Sequence, residues 1–192
     1  REWVDKGEAW AQSMMAQWYY RGKYGLKQSY VMAAMLFEKA VAQGDPDAMY
    51  DLAILYRNGQ GVTQSFERVV ELYTMAAEQG YARAMFNLGC MYRDGRGVAQ
   101  SFKKAFEFYT MAAEQGIVSA MTNLGLLYQT GRGVVQSFKK AFELYTMAAE
   151  QGHVKAMFNL GIHYQKGKGV VQSFEKSVEL FTMAAEQGHV NA

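Results

Sequence analysis

The chain has 192 residues, half of them hydrophobic, and a formal net charge of +2. Disordered chains have fewer apolar residues and a larger charge imbalance, so this composition predicts a folded protein. Cys90 is the only cysteine, which excludes an internal disulfide and a cysteine-rich zinc site. No apolar run approaches the roughly 20 residues of a membrane span, and no apolar signal core opens the sequence, so the compartment is left open.

One pentapeptide recurs at a fixed spacing along the chain. Ala-Ala-Glu-Gln-Gly starts at positions 76, 112, 148 and 184, which are 36 residues apart. A period of this length predicts a stacked array of supersecondary units. We therefore divide the chain into the end of a preceding unit and five repeats within one continuous solenoid: 1–10, then 11–47, 48–83, 84–119, 120–155 and 156–191.

Each repeat is predicted to contain two helices. In the repeat 84–119, the first helix covers about 84–93, and Gly95 suits the left-handed position after a helix. Ser101 then caps a second helix over 102–115. No sustained period-two alternation indicates a strand. We expect an all-α protein, a right-handed αα superhelix of about five 36-residue helix-turn-helix repeats.

A glycine lies in the middle of three predicted first helices. These residues are Gly89, Gly125 and Gly161, and Ala53 holds the same place one repeat earlier. Glycine in a helix interior costs about 1 kcal/mol relative to alanine. Its recurrence predicts a close helix approach that leaves no room for a larger side chain.

The recurring residues resemble the Sel1-like repeat (SLR) family, which is related to the tetratricopeptide repeats. Residues 84–119 carry the pattern nearly complete, as Ala-x3-Leu-Gly-x2-Tyr-x2-Gly-x-Gly-Val followed by a cap and Lys-Ala-x3-Tyr-x2-Ala-Ala-x-Gln-Gly. One departure is the serine cap at Ser101 and its equivalents, where the family usually has aspartate. The resemblance covers essentially the whole chain, and it implies an adaptor that holds other proteins together.

Variation between repeats indicates where a partner would bind. Repeats 84–119 and 120–155 differ at nine of 36 positions, and five of these differences lie in the first helix. Three of the variable positions, the third, seventh and tenth residues, share one stripe of that helix, and in the related repeats the first helix lines a concave groove. The predicted groove wall consists of Tyr50, Asp51, Ile54, Arg57, Phe86, Asn87, Cys90, Arg93, Thr122, Asn123, Leu126, Gln129, Phe158, Asn159, Ile162 and Gln165.

Three asparagines recur once per repeat in this wall, at Asn87, Asn123 and Asn159. Aromatic rings and amides at fixed spacing suit an extended peptide, because they offer apolar anchors and donors for its backbone. Asparagine at the matching place in peptide-binding tetratricopeptide repeats often grips the ligand backbone. The alternative is that each asparagine bonds to a neighbouring backbone group inside the array.

The residues give little support for metal binding, catalysis or cofactor binding. No histidine lies four positions from another on a helix, so no helical metal pair is expected, and no catalytic set or cofactor motif stands out. We expect a non-enzymatic protein that binds a peptide or protein partner, with no nucleic acid, metal or cofactor. A helical-repeat RNA binder is the alternative, and a cysteine-rich SLR hydrolase is disfavoured by the lone Cys90.

The last predicted helix, 174–187, keeps the apolar stripe that a following repeat would cover, in Phe174, Val178, Phe181, Ala184 and Ala185. We expect its outer side to be exposed as an apolar patch. We also expect that the parent protein continues past Ala192, and that this chain self-associates end to end.

Overall fold

The computed structural model describes residues 7–188, and this part of the chain contains ten α-helices and no β-strand. The predicted all-α array of helix pairs is confirmed. The predicted end of a preceding unit at 1–10 falls mostly outside the described residues, as does Ala192. The helices are α1 Ala9–Arg21, α2 Tyr30–Val41, α3 Pro46–Asn58, α4 Phe66–Glu78, α5 Ala82–Asp94, α6 Phe102–Glu114, α7 Val118–Thr130, α8 Phe138–Glu150, α9 Val154–Lys166 and α10 Phe174–Glu186.

The chain forms two compact units, which divide between Gln100 and Ser101. The first unit contains α1 to α5, and the second contains α6 to α10. Within each unit, the main packing is between helices that follow one another in the chain. This nearest-neighbour arrangement is the one that stacked repeats require.

Serine side chains start the second helix of every repeat. The Ser137 hydroxyl, for example, accepts a hydrogen bond from the backbone N–H of Lys140 at 3.3 Å. This bond satisfies one of the amides that the first turn of a helix leaves unpaired. The predicted caps are therefore confirmed, since the same bond forms at Ser29, Ser65, Ser101 and Ser173.

The first helices end at a left-handed glycine, as predicted. Gly95 follows α5 with φ +68°, and Gly131 follows α7 with φ +69°. Helix α5 begins at Ala82, two residues before the predicted start, and ends at Asp94. In the turn after α1, Tyr24 has φ +56°, a left-handed conformation unusual for a residue other than glycine.

The buried stripe of the second helices is built around tyrosines. Tyr73 on α4, Tyr109 on α6 and Tyr145 on α8 are at most 1% exposed. In the second unit, Tyr145 belongs to a core cluster that also contains Met157 and Leu160. The methionine and leucine come from α9, so the tyrosine joins one repeat to the next.

The mid-helix glycines allow the close approach that their recurrence predicts. A Cβ atom on Gly125 would lie 2.8 Å from Cε1 of Tyr145, and one on Gly161 would lie 2.7 Å from Cε1 of Phe181. Real Cβ atoms essentially never come this close to another heavy atom. The aromatic ring of the second helix therefore packs directly on the backbone of the first.

Helix α10 exposes part of its predicted apolar stripe. Phe174 is 64% exposed and Val178 is 63% exposed. The expectation fails for Ala184, which is fully buried because it belongs to the core cluster around Tyr145. Phe181 is half-buried, and its ring centroid lies 5.4 Å from that of Phe158 on α9. End-to-end self-association stays a prediction.

Candidate protein-binding surface

The predicted wall residues lie on the first helices of their repeats. In the first unit they occupy α3 and α5, and all are half-buried except the exposed Arg57. In the second unit they occupy α7 and α9, where Leu126 and Gln165 are exposed and Thr122 is buried. The other wall residues of the second unit are half-buried: Asn123, Gln129, Phe158, Asn159 and Ile162.

Aromatic rings and a carboxylate form the α3 part of this surface. The Tyr50 ring centroid lies 5.5 Å from that of Tyr73 and 5.4 Å from that of Tyr81. The Asp51 carboxylate accepts a hydrogen bond from Gln17 Nε2 at 3.0 Å. Burial raises the pKa of Asp51, and the bond from Gln17 partly opposes that shift. The Tyr50 ring packs against the rings of Tyr73 and Tyr81, and it is partly exposed to solvent.

An open cleft lies between α3, α4 and α5. Its volume is about 110 Å³, and its walls include three of the predicted residues, Arg57, Asn87 and Cys90. The other lining residues are Phe66, Tyr73, Met91, Asp94 and Arg96. We call this space the Tyr73 cleft.

The Tyr73 hydroxyl is buried and has no hydrogen-bond partner in the described chain. Asn87 lies close enough to lower the pKa of Tyr73, although the two side chains do not meet in hydrogen-bond geometry. Burial dominates and raises the pKa of Tyr73 to about 12. The hydroxyl therefore keeps its proton at neutral pH and is available as a donor.

The corresponding tyrosine of the second unit is satisfied internally. The Tyr145 hydroxyl bonds to Gln129 Oε1 at 3.0 Å, and His163 Nε2 lies 3.2 Å from the same oxygen. His163 is fully buried, and its Nδ1 donates to the carbonyl of Lys168 at 2.7 Å. In a neutral ring Nε2 is then an acceptor, so it needs the NH₂ end of the Gln129 amide turned toward it. The tyrosine hydroxyl pairs with the amide in either orientation, because it can both donate and accept.

Burial lowers the pKa of His163, while the hydrogen bond to the Lys168 carbonyl partly opposes the shift. The ring also lies edge-on to Tyr145, at a centroid distance of 5.3 Å. His163 is therefore a packed imidazole inside the second unit. The sequence alone did not predict the contacts of His163 with Gln129 and Tyr145, although a comparison of matched repeat positions would have indicated them.

Thr122 is engaged in a contact between repeats. Its hydroxyl lies 3.0 Å from Nδ1 of His153 and donates to the Val118 carbonyl at 3.3 Å. Ser119 Oγ contacts the other ring nitrogen of His153 at 3.3 Å. Thr122 therefore belongs to the packing between α7 and the start of α9.

The three asparagines have no such internal role in the described chain. Asn87, Asn123 and Asn159 are half-buried, and among residues 7–188 their side-chain amides make no contact in hydrogen-bond geometry, although Asn87 lies beside the Tyr73 hydroxyl. Buried polar groups are normally bonded, and the exceptions call for a reason. Partial exposure lets solvent or a ligand provide the missing partners.

The requirements of a metal site and of a membrane span can also be compared with the described residues. Among residues 7–188, no group of three or more histidine, cysteine, aspartate or glutamate side chains is placed to hold a metal ion. None of the helices in this range has the length and apolar character to cross a membrane.

Comparison with protein-family models identifies five consecutive matches to one model, described as the Sel1 repeat. They cover residues 11–45, 46–81, 82–117, 118–153 and 154–189. The matched units begin within two residues of the repeats that the 36-residue period defines. No curated protein matches the sequence.

Solved structures of bacterial repeat proteins are similar to this chain. One is a protective antigen present in uropathogenic Escherichia coli strains, which displays an SLR fold. It is 32% identical with a TM-score of 0.93, and the match covers 97% of this chain but 40% of the antigen. A Sel1 repeat protein from Oxalobacter formigenes is 29% identical with a TM-score of 0.90, over 96% of this chain and 73% of that one.

A more distant match is the cysteine-rich protein B of Helicobacter pylori. It is 22% identical with a TM-score of 0.52, over 67% of this chain and 92% of that one. At this identity the likeness shows the fold alone.

Proposed function

The chain belongs to the Sel1 repeat family, and from that premise we propose that it is a non-catalytic scaffold that binds a protein or an extended peptide on the exposed side of its first helices. Members of this family generally serve as protein–protein interaction scaffolds. Each unit contributes its own part of the surface, on α3 and α5 in the first and on α7 and α9 in the second.

The asparagine amides are the observation that supports this proposal most directly. Each offers two donors and an acceptor at the surface, and no hydrogen bond within the described chain occupies them. An extended peptide presents a backbone N–H or C=O at regular intervals, so it can pair with amides that recur once per repeat. Half-buried rings beside them, such as Tyr50 and Phe158, supply apolar contact.

The first prediction concerns these amides. Peptides are selected from a random library on the immobilised chain, then resynthesised and titrated against variants by calorimetry. Asn87→Ala in the first unit should raise Kd by roughly 2- to 13-fold, because one hydrogen bond contributes about 0.5–1.5 kcal/mol. Changing Asn123 and Asn159 as well should raise it by roughly 10- to 10³-fold in total.

The control is Gln79→Ala, which removes an exposed amide after the end of α4, outside the predicted wall. It should leave Kd unchanged. Unchanged binding in the asparagine variants would contradict the proposal. Loss of the helical circular-dichroism signal in those variants would instead assign the asparagines to the structure. Single-stranded RNA is titrated in parallel, and tight binding that weakens steeply with salt would favour the RNA-binding alternative.

A further inference from the structure

We infer that the Tyr73 cleft binds a carboxylate group carried by the partner peptide. This inference rests on the proposed function, because it names the chemistry that one part of the surface recognises. It is carried by the groups that line the cleft, by the contrast with the second unit, and by the cleft's size.

The polar groups in this cleft are predominantly hydrogen-bond donors. The guanidinium groups of Arg57 and Arg96 can only donate. The buried Tyr73 hydroxyl has a hydrogen to donate and no acceptor in the described chain. The Asn87 amide adds two more donors beside it. Apart from the Asn87 and Tyr73 oxygens, these groups offer no acceptor, and a carboxylate would provide several lone pairs for their N–H and O–H groups.

In the second unit, the side chains at the corresponding positions contact one another and close the space. Gln129 stands where the first unit has Arg57, and its amide can satisfy the Tyr145 hydroxyl. His163 stands in the place of Met91, and its Nε2 lies 3.2 Å from the same Gln129 atom, Oε1. With arginine and methionine instead, the first unit has no side-chain amide or imidazole at these two places, and the Met91 sulfur there is only a weak acceptor.

The charges at the cleft favour an anion. Asp94 is the one acidic residue among the lining side chains, and both of its oxygens accept from Arg93, at 2.7 and 3.0 Å. Arg93 lowers the pKa of Asp94, so this carboxyl stays ionised and paired. Among the described residues, neither Arg57 nor Arg96 has an acidic partner within ion-pair distance. Arg96 lies near enough to Asp94 to help lower its pKa, and the guanidinium N–H groups of Arg57 and Arg96 can donate to a ligand.

The size of the cleft limits the group that fits. A volume of about 110 Å³ is below the roughly 150 Å³ of a cavity that holds benzene. A carboxylate with one or two methylene groups suits this space. Phe66 and Met91 provide apolar wall for the methylenes. Both an acidic side chain and the end of a peptide chain carry this group.

Three acetylated peptides of the sequence Ala-Leu-X-Leu-Ala serve as probes. In the first, X is glutamate and the chain ends in an amide. In the second, X is glutamine and the end is a free carboxylate. In the third, X is glutamine and the end is an amide, so the peptide is neutral. Binding is followed by NMR, through the side-chain N–H signals of Arg57 and Asn87.

The wild-type chain should bind at least one of the charged peptides about tenfold more tightly than the neutral one, since charge-assisted bonds are the stronger ones. Preference for the first probe would assign the cleft to an acidic side chain, and preference for the second to a chain end. Arg57→Gln and Tyr73→Phe should each remove most of that preference. Arg83→Gln removes the same charge from an exposed site on α5 outside the cleft and should retain it.

The double variant Arg57→Gln with Met91→His copies the pair found in the second unit. It should close the cleft and abolish the preference while the helical signal is kept. An equal affinity of the wild type for all three peptides would overturn the inference. If the asparagine variants then bind all three peptides more weakly by the same factor, the proposed function stands without the carboxylate site.

A titration with sodium acetate at constant ionic strength tests the carboxylate site independently of the proposed peptide-binding function. Saturable shifts of the Arg57 and Asn87 signals in the wild type, with the Asn87 shift lost in Arg57→Gln, would support the carboxylate site even if none of the peptides binds. Absence of those shifts together with peptide binding that ignores charge would reject the site.

Discussion

Two tyrosines at the same place in their repeats differ in one hydrogen bond. Tyr145 is bonded to Gln129, whereas the Tyr73 hydroxyl is buried without a partner in the described chain. A buried polar group without a partner costs about 1–3 kcal/mol, whereas a formed bond contributes about 0.5–1.5 kcal/mol net. The environment of a residue, not its type, therefore decides whether the hydroxyl stabilises the fold.

This difference leads to opposite predictions for one substitution. Tyr73→Phe should leave the free energy of unfolding unchanged or raise it by up to about 1–3 kcal/mol, because a group without a partner is removed. Tyr145→Phe should lower it by about 0.5–1.5 kcal/mol or more, because the bond to Gln129 is lost. Urea unfolding of the two variants checks this. A loss of stability in Tyr73→Phe equal to that in Tyr145→Phe would mean that the Tyr73 hydroxyl has a partner in the folded chain, and it would remove the basis of the cleft.

At the scale of the elements, the turn between the two helices of a repeat touches the preceding repeat. Gly133, in the turn after α7, has φ +73°, and a Cβ atom there would overlap with the backbone carbonyl of Phe102 at the start of α6. Gly152, in the turn after α8, has φ +78°, and a Cβ atom there would meet nothing within 4 Å. Both residues need the left-handed conformation, but only Gly133 also needs the absence of a side chain.

Alanine at the two positions separates these requirements. Gly152→Ala should cost about 1–2 kcal/mol, because alanine is strained in the left-handed conformation. Gly133→Ala should cost more, by roughly 1–3 kcal/mol, because the backbone of α6 would have to move. Thermal or urea unfolding of both variants measures the difference. Equal losses would show that the turn and α6 can separate without cost.

At the scale of the whole molecule, buried histidine links stability to pH. Burial lowers the pKa of His163 below its usual value near 6.5, and burial together with Lys155 does the same for His153. The unfolded chain therefore takes up protons before the folded chain does as the pH falls. The histidine contribution to stability is present above about pH 6.5 and is lost as the pH falls from there toward the folded pKa.

The matched variant for this effect is His163→Leu, since Leu127 holds the same place one repeat earlier. Between pH 7.5 and pH 5.5, the wild type should lose more free energy of unfolding than the variant does. Carboxylates titrate in both proteins, so the difference between the two urea curves isolates the histidine. An identical pH dependence would mean that His163 titrates in the folded chain as it does in the unfolded one.

Much of the architecture could be predicted from the sequence because it depends on local and periodic signals. Serine before each second helix and glycine after each first helix specify where the helices begin and end, through single hydrogen bonds and one backbone angle. The mid-helix glycines likewise predicted a close approach, which Gly125 and Tyr145 make. The 36-residue period then predicted which helices would be neighbours.

The sequence predicted that the candidate surface lies on the first helices, but it did not predict which of its residues are buried and which are exposed. Periodicity assigns Thr122 and Asn123 to the same predicted groove wall, yet Thr122 is buried against His153 and Asn123 is not. Which side chain finds a partner depends on residues of the next repeat, more than 30 positions away in the chain.

The sequence by itself determined the helix pairs, their caps and the family, because each of these follows from residues within one repeat and from their recurrence. Only the tertiary structure decided that Arg57 and Tyr73 line an open cleft while Gln129 and Tyr145 close on each other. The physical reason is that hydrogen-bond satisfaction in a packed array depends on three-dimensional matching across helices. A repeat pattern conserves the places of the side chains, and one donor-only arginine in place of a glutamine amide is enough to change what those places can bind.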